Sequence, residues 1–299
     1  MKHAVPEATT RGALTVRLAL LAMTWATAAL MMLMSSTASA QYPDKVVRIV
    51  VPFGPGGSTD AVARTAAQRL SEYWGGKPVI VENRPGGSGT VGTASVATSP
   101  ADGYTILMGV FAHAVIESLF KNTPYKLERD FIPVIEIGKT PQLLLVHPSV
   151  PANNVGELLA LLKAQPGKLN FGSGGNGSAS HMAAELFLAM SKTTATHVPY
   201  KSSGQALNDL AGGQTQFMFD SVFTSLPLVK AGRLKAIGVS TAQRTNLVPD
   251  IATVAESGVP GYESSVWFGF FVPTGTSKEI VTKLNADLAA TLRAPAVRE

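Results

Sequence analysis

Three stretches carry the residue types that a small polar ligand would need. They are Pro52-Phe53-Gly54-Pro55-Gly56-Gly57-Ser58-Thr59-Asp60, Arg84-Pro85-Gly86-Gly87-Ser88-Gly89-Thr90-Val91-Gly92 and Gly172-Ser173-Gly174-Gly175-Asn176-Gly177-Ser178. Each follows a run that reads as a strand and precedes one that reads as a helix. In a parallel sheet such loops sit at the carboxyl ends of strands, where open α/β sheets bind ligands. Glycine lets the backbone approach a ligand closely. The free N–H groups and dipole of a helix N-terminus favour an anion, and Ser and Thr hydroxyls add neutral donors. One such loop is ordinary turn chemistry; three at strand-to-helix junctions point to a ligand cleft. Phe53 lies in a loop where an aromatic ring is not expected in a core, so it reads as a ligand contact.

Catalytic readings find less support. Gly87 to Gly92 and Gly172 to Gly177 both fit G-x-G-x-x-G, but neither has the acidic residue that a dinucleotide site wants at the end of the next strand. Gly138-Lys139-Thr140 resembles the tail of a P-loop, but Pro133 stands where its first glycine belongs. There is no G-x-S-x-G nucleophile elbow. His113, His147, His181 and His197 lack close metal-ligand spacing and there is no cysteine, so neither a metal nor a cofactor is expected. Of these, His181, just inside the helix after the third loop, is the one that could face a ligand. Asp60 reads as support for the first turn of its helix. Asp220, at a strand end, either points into a cleft or caps the next helix.

The elements that must position these loops alternate. Val46–Val51, Val79–Val81 and Tyr104–Met108 read as strands, with helices after the first two loops. The middle of the chain repeats the grammar: strands at Leu143–Val146, Leu169–Phe171, Phe217–Phe219 and Leu234–Val239, and helices at Val155–Lys163, Ser180–Met190 and Gln205–Leu210. Such alternation predicts parallel sheets covered by helices on both faces. Around ten strands is large for one open sheet in a chain of this length, so two sheets are expected. Phe131–Ile137 and Val266–Val272 lack helical periodicity and read as crossings between two α/β lobes, with a last helix from Ser277.

The first segment reads as a leader. Lys2, Arg11 and Arg17 precede an apolar run from Leu18 to Met34 that ends in Ala38-Ser39-Ala40, an A-x-A cleavage pattern. The mature chain then begins at Gln41 and carries 22 basic and 19 acidic residues, a net charge of +3. These charges are scattered, which argues against a nucleic-acid partner. With no cysteine, no disulfide supports the exported protein, and its core alone must hold it.

The loops and their flanks also carry a resemblance. Tyr42-Pro43, PFGPGGSTD at 52–60, ENRPGGSGTVG at 82–92, DGYTILMG at 102–109, NFGSGGNGSASHMAAELF at 170–187, HVPYKSSGQALNDLAGG at 197–213 and AGRLKAIGVST at 231–241 resemble the tripartite tricarboxylate transporter substrate-binding family, the TctC-like or Bug proteins. The resemblance covers nearly the whole mature chain. It implies an α/β, periplasmic-binding-protein-like (Venus flytrap) fold, with two lobes joined by crossing strands around a central cleft. The implied organisation is a signal peptide at 1–40, a first lobe from 41–139 completed by 264–299, and a second lobe at 140–263. It implies a periplasmic solute-binding protein, not an enzyme, that acts as a monomer and delivers a small organic carboxylate to membrane permease subunits. Carried over residue by residue, it points to Phe53, Gly57, Ser58, Thr59, Gly87, Ser88, Ser173, Ser178, His181 and Asp220 as ligand-binding. Family members usually have a glycine soon after Pro-Tyr-Lys, whereas here Ser202-Ser203 precede Gly204, so different hydroxyl contacts are expected there. Family members also continue beyond the position of Glu299 with a strand and a helix, so the first lobe is expected to be incomplete at that end. Two other readings stay open: a ligand-presenting module for a receptor kinase, and, less favoured, a phosphate-loop α/β enzyme.

Overall fold

The computed structural model describes Met23 and residues 42–292. The chain divides into residues 1–44 and residues 45–299. Of the first part, Met23 is helical and exposed and residues 42–44 are irregular; the basic start, the rest of the apolar run and the Ala38-Ser39-Ala40 site lie outside the described residues, as do Arg298 and Glu299. Among the described residues no helix is long and apolar enough to cross a membrane.

Residues 45–292 form nine strands in two sheets that share one strand. In the first sheet, β1 (Val47–Val51) lies parallel to β2 (Val79–Asn83) and β3 (Thr105–Val110), and β9 (Ser265–Pro273) runs antiparallel to β3. The shared strand is β4 (Phe131–Val146). From Phe131 to Pro141 it pairs with β9; from Gln142 to Val146 it pairs antiparallel with β7 (Phe217–Ser221). β8 (Lys235–Val239) takes the other edge of that second half, while β5 (Asn170–Ser173) lies parallel to β6 (Thr196–Pro199) and β7. The expected crossing at Phe131–Ile137 and the expected separate strand at Leu143–Val146 are thus one 16-residue element. The Gly138-Lys139-Thr140-Pro141 stretch reads as a break because glycine and proline disfavour strands. Pro141, which has no N–H to give, falls where the strand changes partners.

Nine helices dress these sheets among the described residues: α1 (Ser58–Tyr73), α2 (Thr90–Ala97), α3 (Ala112–Leu119), α4 (Leu127–Asp130), α5 (Val155–Ala164), α6 (Ala179–Ser191), α7 (Ser203–Ala211), α8 (Val222–Lys230) and α9 (Lys278–Leu292). The second half of β4 shows why the fold needs them on both sides. Alternate residues of a strand face opposite ways. Leu144 and Val146 enter a core with Phe171, Phe187, Phe219 and Tyr262, while Leu143 and Leu145 enter another with Leu207, Leu210 and Met218. All four are fully buried, as the unbroken apolar run requires. In the first lobe Val50, Leu107, Ile116, Tyr125 and Phe131 make a third core.

Helix α8 escapes the sequence pattern because Pro227 stands inside it, where proline removes a donor and disfavours helix. Helix α5 has a strong start signal. Asn154 Oδ1 accepts from Glu157 N at 2.9 Å, and Glu157 Oε2 accepts from Asn153 N. Asn154→Ala should lower stability by about 1 kcal/mol in denaturant titration; no change would mean that water replaces the cap.

Candidate functional site

A cleft of about 520 Å³, counting the space open to solvent at its mouth, lies between the lobes. The first lobe contributes Phe53, Gly54, Gly57, Ser58, Thr59, Val110, Phe111 and Ala112; the second contributes Gly174, Ser178, Ala179, Ser180, Ser202, Ser203, Asp220 and Ser221. Gln142 and Val266 line it from the two crossing strands. The N-termini of α1, α3, α6, α7 and α8 therefore all open onto one space. Side-chain caps take some of the first-turn N–H groups, as Ser178, Ser202 and Ser221 do on α6, α7 and α8, but five helix N-termini still favour an anion there without a positive side chain.

The first loop is shaped by Asp60. Gly57 is the N-cap of α1 and makes no side-chain cap bond. Asp60 Oδ2 instead accepts from Gly56 N at 3.1 Å, which folds the loop back over the first turn and leaves the Ser58 and Thr59 side chains to the cleft. Asn83 donates to both the Phe53 carbonyl and Asp60 Oδ1, and Arg64 bonds Asp60. Burial pushes the Asp60 carboxyl up, but the bonds from Arg64, Gly56 N–H and Asn83 together hold it below its usual range.

The second loop does not line the cleft. Gly87 and Ser88 are not in its lining; Gly87 packs on Thr90 of its own loop, and a Cβ at the neighbouring Gly89 would lie 3.2 Å from the Phe53 ring. Ser88 borders a smaller space of about 150 Å³ together with Phe53, Thr93, His113 and Tyr125. This loop positions the aromatic wall.

The third loop splits in two. Ser178 lines the cleft and caps α6 by accepting from His181 N, while Ser180 Oγ accepts from Gly174 N at 3.0 Å. Ser173 and His181 turn away. Ser173 Oγ lies 2.6 Å from His197 Nε2, and His181 Nδ1 accepts from Gly177 N. The His181 and His197 rings stack 4.1 Å apart, and His197 stacks on Phe171. Burial, aided by the neighbouring His181, holds His197 down to about 4. These groups brace the loop from behind.

Asp220 is buried in the cleft wall. Its Oδ2 accepts from Thr224 Oγ1 at 2.6 Å, and it also takes bonds from the Ser203 hydroxyl and the Ser221 N–H. Burial outweighs these bonds and pushes its carboxyl up to about 6. Of the ten residues picked out from the sequence, the cleft gathers Phe53, Gly57, Ser58, Thr59, Ser178 and Asp220. It also gathers Gln142, Phe111, Ser180, Ser202 and Ser203, of which only the Ser202-Ser203 pair had a signal, its departure from the family pattern.

The lobes touch across the cleft mouth. Gly54 N donates to the Lys201 carbonyl at 2.9 Å, and Ser202 Oγ donates to the Pro55 carbonyl at 3.1 Å. Ser202 also accepts from Gln205 N, capping α7. Gly57 packs on Ser203, and Gly204 on the backbone of Gly56 and Gly57. A side chain on Gly204, which would meet backbone, would hold the two loops apart.

Comparison with known proteins agrees with this architecture. Residues 62–299 match the family described as "Tripartite tricarboxylate transporter family receptor" (TctC). The chain is 40% identical to R. palustris Rpa4515, solved with adipate, over 86% of each chain, with a TM-score of 0.83. It is 34% identical to MatC (Rpa3494) from Rhodopseudomonas palustris with bound malate, over 86% of this chain and 87% of that one, with a TM-score of 0.82. It is 34% identical to the periplasmic binding protein BugD, over 86% of each chain, again with a TM-score of 0.82. By its sequence match, its two-lobed fold and its cleft, the chain belongs to the TctC receptor family of periplasmic solute-binding proteins, which are not enzymes.

Proposed function

We propose that this protein captures a small organic carboxylate in the cleft and delivers it to the membrane permease of a tripartite transporter. The observation that carries the reading is the convergence of five helix N-termini and several Ser and Thr hydroxyls on a cleft with no cationic side chain in its lining. That is the chemistry of an anion held by dipoles and neutral donors. The adipate in Rpa4515 and the malate in MatC support the same ligand class.

In this reading the first lobe comprises residues 41–139 and 264–299, and the second residues 140–263. Backbone N–H and hydroxyl groups of the first lobe fix the carboxylate. The second lobe then closes about the crossing strands, near Pro141 and Ser265 where β4 leaves β9. Closure is driven only by the ligand's greater affinity for the closed form. The leader is removed after Ala40 and the periplasmic protein works as a monomer.

Thermal unfolding against a panel of small carboxylates tests this. A ligand at a hundred times its dissociation constant adds about 2.7 kcal/mol, which at about 2–4 °C per kcal/mol should raise the midpoint by roughly 5–10 °C. A shift with one class of acid and none with nucleotides supports the reading; a shift with nucleotides alone refutes it. Because no cation lines the cleft, affinity should change little with moderate salt. A steep loss would mean that a charged side chain holds the ligand.

A further inference from the structure

An anion cleft that contains a buried carboxyl group poses an electrostatic problem. Asp220 is the one ionisable side chain among the residues lining the cleft, and it is 2% exposed. Three neutral donors surround it: the Thr224 and Ser203 hydroxyls and the Ser221 N–H. Its register partner on β4 is Leu143, which is fully buried and apolar.

The charged and titratable groups on the elements around it are engaged elsewhere or exposed. On α7, Asp209 accepts from the Tyr200 hydroxyl. On α8, Lys230 is exposed, and so is the Lys201 side chain before α7. On β4, Lys139 pairs with Glu136 in the half that belongs to the other sheet. On β8, Lys235 bonds the Val150 carbonyl and Asn153. Across the cleft, Asp60 is neutralised by Arg64. His181 and His197 stack on each other behind the third loop, with Glu185 beside His181. Among the described residues no cationic side chain lines the cleft to share Asp220 with an incoming anion.

We propose that Asp220 takes up a proton from solvent when a carboxylate enters the cleft, so that the anion is captured together with one proton. This rests on the reading of the cleft as a carboxylate site. A second negative charge in a water-poor cleft disfavours ionised Asp220, as with paired carboxylates that share a site. Protonation removes the repulsion and turns an acceptor into a donor able to bond the ligand's oxygen. The proton returns to solvent when the ligand leaves. The empty protein is already poised for this, since burial sets the carboxyl at about 6. Asp220 thereby makes capture stronger on the acid side of neutrality.

Isothermal titration calorimetry of the protein with succinate, malate, glutarate and adipate tests the coupling, in buffers of different ionisation enthalpy. Between about pH 6.5 and pH 8.5, where these acids stay ionised, affinity should fall about tenfold per pH unit. The buffer dependence of the heat should report uptake of about one proton at neutral pH. Asp220→Asn should hold at pH 8.5 the affinity that the unaltered protein shows near 6.5, with no proton uptake, an outcome that titration of His181 or His197 would not give. The proton count of the unaltered protein needs no variant to fold. Affinity that is flat with pH and free of proton uptake would overturn the proposal. So would pH-independent binding confined to a hydroxy or amino acid, whose own donor satisfies an ionised Asp220. Failure of all these acids to bind would instead sink the carboxylate reading beneath it.

Discussion

Gly204→Ala should lower ligand affinity by about a hundredfold, about 2.7 kcal/mol, while leaving the fold intact. Gly204 lies in the first turn of α7, outside the left-handed region, so its own backbone accepts a side chain. Alanine there is intrinsically better than glycine by about 0.5–1 kcal/mol. The obstacle stands on the other lobe. A methyl group would overlap the Gly56 carbonyl and come within 3.1 Å of Gly57 N. These are backbone atoms of a loop that Asp60 and Asn83 hold in place, so they yield little. The lobes would stay apart, and the ligand would lose either the donors of α1 or those of α6 and α7. Gly57→Ala is the internal comparison. Its methyl would meet the Ser203 hydroxyl, 2.9 Å away, a side chain that can rotate, so a loss below about tenfold is expected. Calorimetric affinities and melting curves of the two variants check this. A Gly204→Ala protein that binds normally would mean that capture does not require the close contact seen here.

The parts of the site that the sequence disclosed are those made by local chemistry. A glycine-rich turn after a β-branched strand and before an amphipathic helix can be read from one stretch of chain, which is why the 52–60 and 172–178 loops were legible. Which side chains of a loop face the ligand was less so. Ser173 and Ser178 belong to one loop, yet Ser173 is taken by His197 from the adjacent strand and only Ser178 reaches the cleft. That choice is made by a partner 24 residues away and leaves no local trace. The second loop shows the same limit: its Gly89 packs behind Phe53 and its Gly92 against Pro52, contacts that no local pattern announces. Gln142 was invisible because its place depends on the handover of β4 from one sheet to the other, a tertiary fact.

His113 and Asp220 should act on stability in opposite directions between about pH 7 and pH 4.5, by about 2 kcal/mol each. His113 is buried beside the cleft wall. Its Nε2 lies 3.0 Å from the Thr93 hydroxyl, and its Nδ1 lies 3.1 Å from both the N–H and the carbonyl of Val110. The bond to Val110 favours the charged ring, but burial outweighs it and holds the imidazole down to about 4. As pH falls below 6.5 the unfolded chain binds a proton that the folded one refuses, so this contribution to stability is lost on the way to pH 4. Asp220 behaves in the reverse sense. Its folded carboxyl titrates at about 6, against 3.8 as its ordinary value, so the folded chain binds the extra proton and gains stability as pH falls through 6. The two contributions nearly cancel in the intact protein. Single variants should separate them. His113→Asn, which keeps an acceptor for Val110 N–H, should lose less stability on acidification than the unaltered protein. Asp220→Asn should lose more, its gain at neutral pH fading toward acid. Denaturant titrations at the two ends of this range measure both slopes. Two variants with parallel, unchanged pH profiles would show that neither group is held in the protonation state that its surroundings dictate.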